Sequence, residues 1–184
     1  MAIYSIVVGT CWIVFFGIWA VLARGGARGG ERRSAPGMMV VRLLLIAAIL
    51  LAVRFGFPPA ADFGRFAAGV APVGAAFCIA GLAFATWARV ALGRSWGMPM
   101  TLRDKPELVT QGPYTYVRHP IYTGVTLMAV GTTLVYPLML LWCAIMIAYF
   151  LVSARREERD MVQLFPDTYP AYKQRSKMIV PFVL

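Results

Sequence analysis

The chain has 184 residues, 60% of them hydrophobic and 14% charged, with a mean hydropathy of +0.69. A soluble domain is about half apolar, and here the excess lies in long runs, so burial in a bilayer explains it better than an oversized core. The formal net charge of +10, from 18 Lys+Arg against 8 Asp+Glu, would suggest nucleic acid in a soluble protein; in a membrane protein it asks which loops carry it.

Spanning the hydrocarbon takes roughly 20 apolar residues as a helix. Ile3 to Leu22 qualifies as a first span. It lacks a basic segment before it and has arginines after it, which is the polarity of a transmembrane helix with its N-terminus outside rather than of a signal peptide. The loop Arg24 to Gly37 follows, and Met38 to Phe57 forms a second span ended by Pro58-Pro59. A connection with Asp62 and Arg65 leads to a third span, Phe66 to Leu92. The stretch Gly93 to His119 is polar. Two shorter apolar pieces come next, Ile121 to Tyr136 and Pro137 to Val152, each roughly 24 Å long at the α-helical rise. That is short of the hydrocarbon core, so the pair either thins the bilayer locally or shares its length with a cavity. From Ser153 the chain is charged and reads as a helix leaving the membrane.

Basic residues set the orientation. Arg24, Arg28, Arg32 and Arg33 lie in the first loop; Arg94, Arg103, Lys105 and Arg118 in the long polar stretch; Arg155, Arg156, Arg159, Lys173, Arg175 and Lys177 in the tail. The opposite side has little beyond Arg65. The expectation is an all-α integral membrane protein of about five transmembrane helices. Its N-terminus lies outside and its C-terminal helical segment in the cytosol. Residues 1–92 supply three spans and residues 93–184 the part that binds a cofactor. The RGGARGGERR run reads as a positive-inside anchor on anionic lipid rather than a nucleic-acid segment, and no nucleic-acid partner is expected. Cys11, Cys78 and Cys143 each sit in an apolar run, without CxxC spacing and with His119 the one histidine of the chain, so no metal site is expected.

Polar groups at the membrane edge are costly and are therefore default candidates for function. Two clusters qualify. In the first, Gly112-Pro113 signals a turn and Pro120 suits a first helical position, with His119 before it biased away from helix. His119 and Tyr122, three apart, can then face one side of a helix start whose free N–H groups favour an anion. The competing reading is an aromatic belt of Tyr114, Tyr116 and Tyr122 with Arg118 snorkelling. The second cluster is Arg155 to Asp160, in which Glu157 and Glu158 are the only adjacent acids of the chain. Some pairing is expected there, since Arg156 and Asp160 are four apart.

The run GPYTYVRHPIYTG, an apolar hairpin, Glu157-Glu158, then LFPDTYPAYKQR and Val180-Pro181-Phe182 resembles the isoprenylcysteine carboxyl methyltransferase family. More distantly it is similar to membrane phospholipid N-methyltransferases. The likeness covers Leu108 to Leu184. It implies a small helical membrane enzyme that binds S-adenosylmethionine (SAM) from the cytosol, with Leu108, Val109, Tyr114, His119, Pro120, Ile121, Tyr122 and Glu157 lining the cofactor pocket and Glu158 beside them. Two departures stand out: Phe165-Pro166 replaces the family's Phe-Gly, and the arginine that meets the acceptor there falls at Ser153 here. Arg155 or Arg156 can substitute for it, and Arg156 is taken as the expected acceptor contact, with Glu158 as the second catalytic candidate.

Methyl transfer from a sulfonium is an in-line displacement, so positioning supplies much of the catalysis. A carboxylate or thiolate needs no general base, whereas a neutral amine must lose a proton. A chain with one histidine and few acids leans toward a lipophilic or lipid-anchored acid or thiol acceptor. The alternatives are a phospholipid N-methyltransferase, a sterol-type reductase using NADPH, and a non-catalytic membrane scaffold.

Overall fold

The computed structural model describes residues 2–23, 64–93 and 108–180. The expected second span, the arginine-rich loop before it and the basic residues Arg94, Arg103 and Lys105 lie outside the described residues. Within them the chain forms α1 (Ala2–Ala23), α2 (Gly64–Leu92), a 3-10 turn (Gly112–Thr115), α3 (Pro120–Val135), α4 (Leu140–Leu164) and α5 (Tyr169–Arg175). A single bridge between Val117 and Lys177 is the β pairing among the described residues. The protein is an all-α integral membrane protein.

Helices α1, α2 and α4 each contain a stretch long and apolar enough to cross a membrane. Helix α3 has 16 residues, the short apolar piece anticipated from the sequence. Helix α4 goes further than its apolar part: it continues unbroken through the charged run to Leu164. Arg, Glu and Met are good helix formers, so nothing in Arg155 to Met161 stops it.

The stops are legible. Gly93 has φ 51°, the left-handed conformation that ends α2 at little cost. Pro120 occupies the first position of α3, where its missing N–H is no loss. Pro137 ends α3 by pushing Tyr136 out of the helical region.

The core is an antiparallel seam between α2 and α3. A Cβ added at Gly81 would lie 2.5 Å from the Gly124 carbonyl oxygen, and one added at Gly131 would lie 2.4 Å from that of Gly74. The backbones touch because four glycines face each other in pairs. In lipid, where apolar side chains gain little by mutual burial, such contact of small residues holds helices together. Alongside it Cys78 donates to the Met128 carbonyl at 3.2 Å, and Thr132 accepts from the Trp12 indole at 3.0 Å. The aromatic row of α1 extends this contact. Phe15 stacks on Trp19 at 4.1 Å, and Trp12 meets Trp142 of α4 edge-on at 5.7 Å. The three cysteines are buried as small apolar side chains.

Candidate active site

The start of α3, the far end of α4 and the segment after α5 converge. Gly112, at φ 62°, opens the 3-10 turn in a conformation that would strain any residue with a Cβ. That turn delivers Tyr116 to His119 beside the segment that follows α5. The Arg118 N–H donates to the Lys177 carbonyl at 2.7 Å, the His119 N–H to that of Met178 at 3.0 Å, and the Lys177 N–H to that of Tyr116 at 3.1 Å. The Tyr172 hydroxyl donates to the Tyr114 carbonyl at 2.6 Å, and Thr123 to that of Ile179.

The acid pair of α4 faces this assembly. Glu158 is buried, with Arg118 Nε on one oxygen at 2.6 Å and Lys173 Nζ on the other at 2.8 Å. Arg118 also donates to the Ser176 and Lys173 carbonyls. This arginine does not snorkel; it ties three segments together. Glu157 accepts from the Tyr122 hydroxyl at 2.7 Å, and its second oxygen lies 3.3 Å from His119 Nδ1. His119 stacks parallel on Tyr122 at 5.5 Å, and Tyr122 on Phe150 at 4.5 Å. The shared face expected for His119 and Tyr122 is therefore present.

Burial alone would lower the basicity of His119. Its two carboxylate neighbours, Glu157 first, outweigh that and hold its pKa above the ordinary histidine value. Tyr114 is shifted upward by burial and by Tyr172, with the Arg89 cation opposing. Tyr172 is pushed up to about 12 by burial.

Of the residues expected around a cofactor, Tyr114, His119, Pro120, Tyr122 and Glu157 are brought together here. Ile121 packs at the edge of the apolar core, and Leu108 and Val109 lead into the 3-10 turn without regular structure. Glu158 is in the cluster, with both oxygens committed to cations. Arg156 is not: its side chain is exposed, about 200° around the helix from Glu158. Among the described residues it makes no ion pair, so the pairing expected with Asp160 is not formed.

Sequence reasoning missed Arg89. It is 4% exposed and donates to the Gly93 carbonyl at 2.9 Å and the Leu22 carbonyl at 3.1 Å, thereby capping the C-terminal ends of α2 and α1. Its charge reaches Tyr114, which links the two helix ends to the cluster. The available signal was a cation inside an apolar span, a position where charge is rare without a purpose.

These features define a helical membrane protein with a polar cluster at one helix start, and the comparisons with known proteins agree. The family model for phospholipid methyltransferase matches residues 70–168, more than half of the chain and all of α3. The chain belongs to that family. Among individual proteins, it is similar to methanethiol S-methyltransferase 1 of Bradyrhizobium diazoefficiens, 38% identical over 77 residues, which are 42% of this chain and 27% of that protein. It is also similar to protein-S-isoprenylcysteine O-methyltransferase of Schizosaccharomyces pombe, 33% identical over 79 residues, 41% of this chain and 34% of that one. The matches thus span about a third or less of these relatives. The solved structure of the eukaryotic intramembrane Ras methyltransferase ICMT shares the fold, with a TM-score of 0.55 at 22% identity, over 83% of this chain and 55% of that one.

Proposed function

We propose that the chain is a SAM-dependent methyltransferase acting on a lipophilic acceptor, bearing a carboxylate or a thiol, at the cytosolic face of the membrane. The observation that carries this reading is Glu157, an acid held by Tyr122 and His119 and, among the described residues, not neutralised by a guanidinium or ammonium group. It supports the same reading that the curated relatives are methyltransferases whose named acceptors are a thiol and an isoprenylcysteine.

The donor set suits SAM. Glu157 can accept from its hydroxyl or ammonium groups. His119 Nε2 is buried 3.8 Å from a Glu158 oxygen and, among the described residues, without a hydrogen-bond partner, an arrangement that a bound polar molecule would relieve. The first N–H groups of α3 favour a carboxylate. When bound, the sulfonium supplies an electrophilic methyl group for in-line transfer. The chain's own residues hold and exclude. Tyr122 and His119 fix the Glu157 carboxylate, Arg118 and Lys173 keep Glu158 ionised and occupied, and Phe150 closes the apolar side. With Glu158 so committed to cations and Glu157 assigned to SAM, neither acid of the pair is left to take a proton, which fits an acceptor that arrives as a carboxylate or thiolate. Arg156, on the outward face, is assigned to meet the anionic group of an acceptor approaching from the bilayer. Residues 93–184 carry the cofactor part and residues 1–92 the supporting spans.

Calorimetric titration of the purified chain with SAM, its demethylated product and NADPH tests the reading. SAM and its product should bind, and NADPH should not. Binding of NADPH with no response to SAM would replace it by the reductase reading. Arg156→Ala should raise the acceptor's apparent Michaelis constant with SAM affinity near wild type; an unchanged constant would remove Arg156 from the site.

A further inference from the structure

The charged end of α4 is nearly balanced along the sequence, but folding separates the signs. Glu157 and Glu158 turn inward to His119, Tyr122, Arg118 and Lys173. Arg155 and Arg159, one helical turn apart, turn outward and are exposed. Among the described residues neither makes an ion pair, and half-buried Asp160 between them and the next turn neutralises neither. The outward stripe is not purely cationic. Val152 is 43% exposed and Val162 40% exposed, and they stand three residues before Arg155 and three after Arg159. Exposed valines flanking a pair of unpaired arginines, on a helix that directly continues a membrane-spanning segment, match the boundary between acyl chains and headgroups. Val152 fits the apolar side, and the arginine stems reach from it toward phosphate.

We infer that this face of α4 binds anionic phospholipid headgroups of the surrounding membrane, with Arg155 and Arg159 as the phosphate contacts. The occupant is the lipid of the bilayer rather than a soluble anion or an acidic protein. The stripe is continuous with the span, and its valines have no use for an aqueous partner. Guanidinium suits phosphate because its planar donors can engage two oxygens at once. The inference is independent of the methyltransferase reading.

The full chain, reconstituted in nanodiscs of equal phosphatidylglycerol and phosphatidylcholine, provides the test. After mild detergent extraction, the phospholipid that stays with the protein is quantified by mass spectrometry. A polybasic contact favours anionic lipid by roughly fivefold per arginine. Phosphatidylglycerol should therefore be enriched at least fivefold, and Arg155→Gln/Arg159→Gln should lower the enrichment by that factor or more. The variant's melting temperature in detergent, where no anionic lipid is present, should match wild type and so report that it folds. Equal retention of the two lipids by the wild type would overturn the inference. So would an enrichment that survives the double substitution, which would place the lipid contact elsewhere on the chain. Capture of an acidic protein with no lipid preference would replace lipid by a protein partner.

Discussion

The seam between α2 and α3 and the cluster where α3 meets α4 lie on the same helix and are held by opposite physics. Along the seam, glycines bring two backbones into contact, and shape alone decides the fit. At the cluster, two acids and three cationic or imidazole side chains are bonded by charge, and the carbonyls of residues 173–179 complete the network. A seam of this kind is insensitive to pH and salt but tolerates no added atom. A network of this kind tolerates small changes of shape but not the loss of one partner.

Removing Glu158 attacks the network at its centre and should have the largest effect. Arg118 would be left buried without a counter-ion, and breaking a buried ion pair costs about 3–5 kcal/mol. Glu158→Ala should lower the melting temperature in detergent and abolish SAM binding together; a stable variant with normal SAM affinity would show that the pair is dispensable. The seam comes next. Gly131→Ala places a methyl group 2.4 Å from a backbone oxygen, at the upper end of overpacking costs, about 3 kcal/mol. The same change at Gly17 of α1, where an added Cβ meets nothing within 4 Å among the described residues, should be neutral or slightly stabilising. Equal effects at the two sites would refute the seam.

A smaller effect belongs to Glu157. Glu157→Gln keeps the shape and removes the charge, so SAM should bind ten- to a hundredfold more weakly, the equivalent of roughly 1.5–3 kcal/mol. At saturating SAM the rate on a carboxylate acceptor should persist. Normal affinity with abolished turnover would instead make Glu157 a base and point to an amine or hydroxyl acceptor.

The smallest effect concerns pH. His119 is more basic folded than unfolded, so its contribution is full below its unfolded pKa, about 6.5, and is lost as pH rises through the folded value. The melting temperature should fall as pH rises above the ordinary histidine value of about 6.5 and through the raised folded value, and His119→Gln should flatten that slope. Gly131→Ala should leave the slope intact, because the glycines that form the seam do not titrate.

Local signals were legible in the sequence and long-range pairings were not. Pro120, Gly112 and the ends of the first and third expected spans announce themselves through backbone chemistry that acts within a few residues. The proximity of His119 and Tyr122 followed from helical spacing. Arg118 and Glu158 are 40 positions apart, and an arginine beside tyrosines at a membrane edge looks the same whether it snorkels or is clasped. The four seam glycines were hidden by context, since glycine is common in membrane helices and only the facing helix reveals which ones touch. The outward orientation of Arg156 was not legible either, because it is set by the inward turn of Glu157 and Glu158.

The clasp around Arg118 also orders events in time. Its guanidinium donates to the Ser176 carbonyl, 58 positions later, and the backbone on either side bonds to residues of the same late segment. During synthesis, the start of α3 therefore waits, with its arginine and histidine unclasped, until α4 has been inserted and the segment after α5 has left the ribosome. A chain stopped short of Ser176 would carry every side chain assigned to the cofactor and still lack the surface that holds them. On this account the site is a late product of biosynthesis, and incomplete chains stay silent.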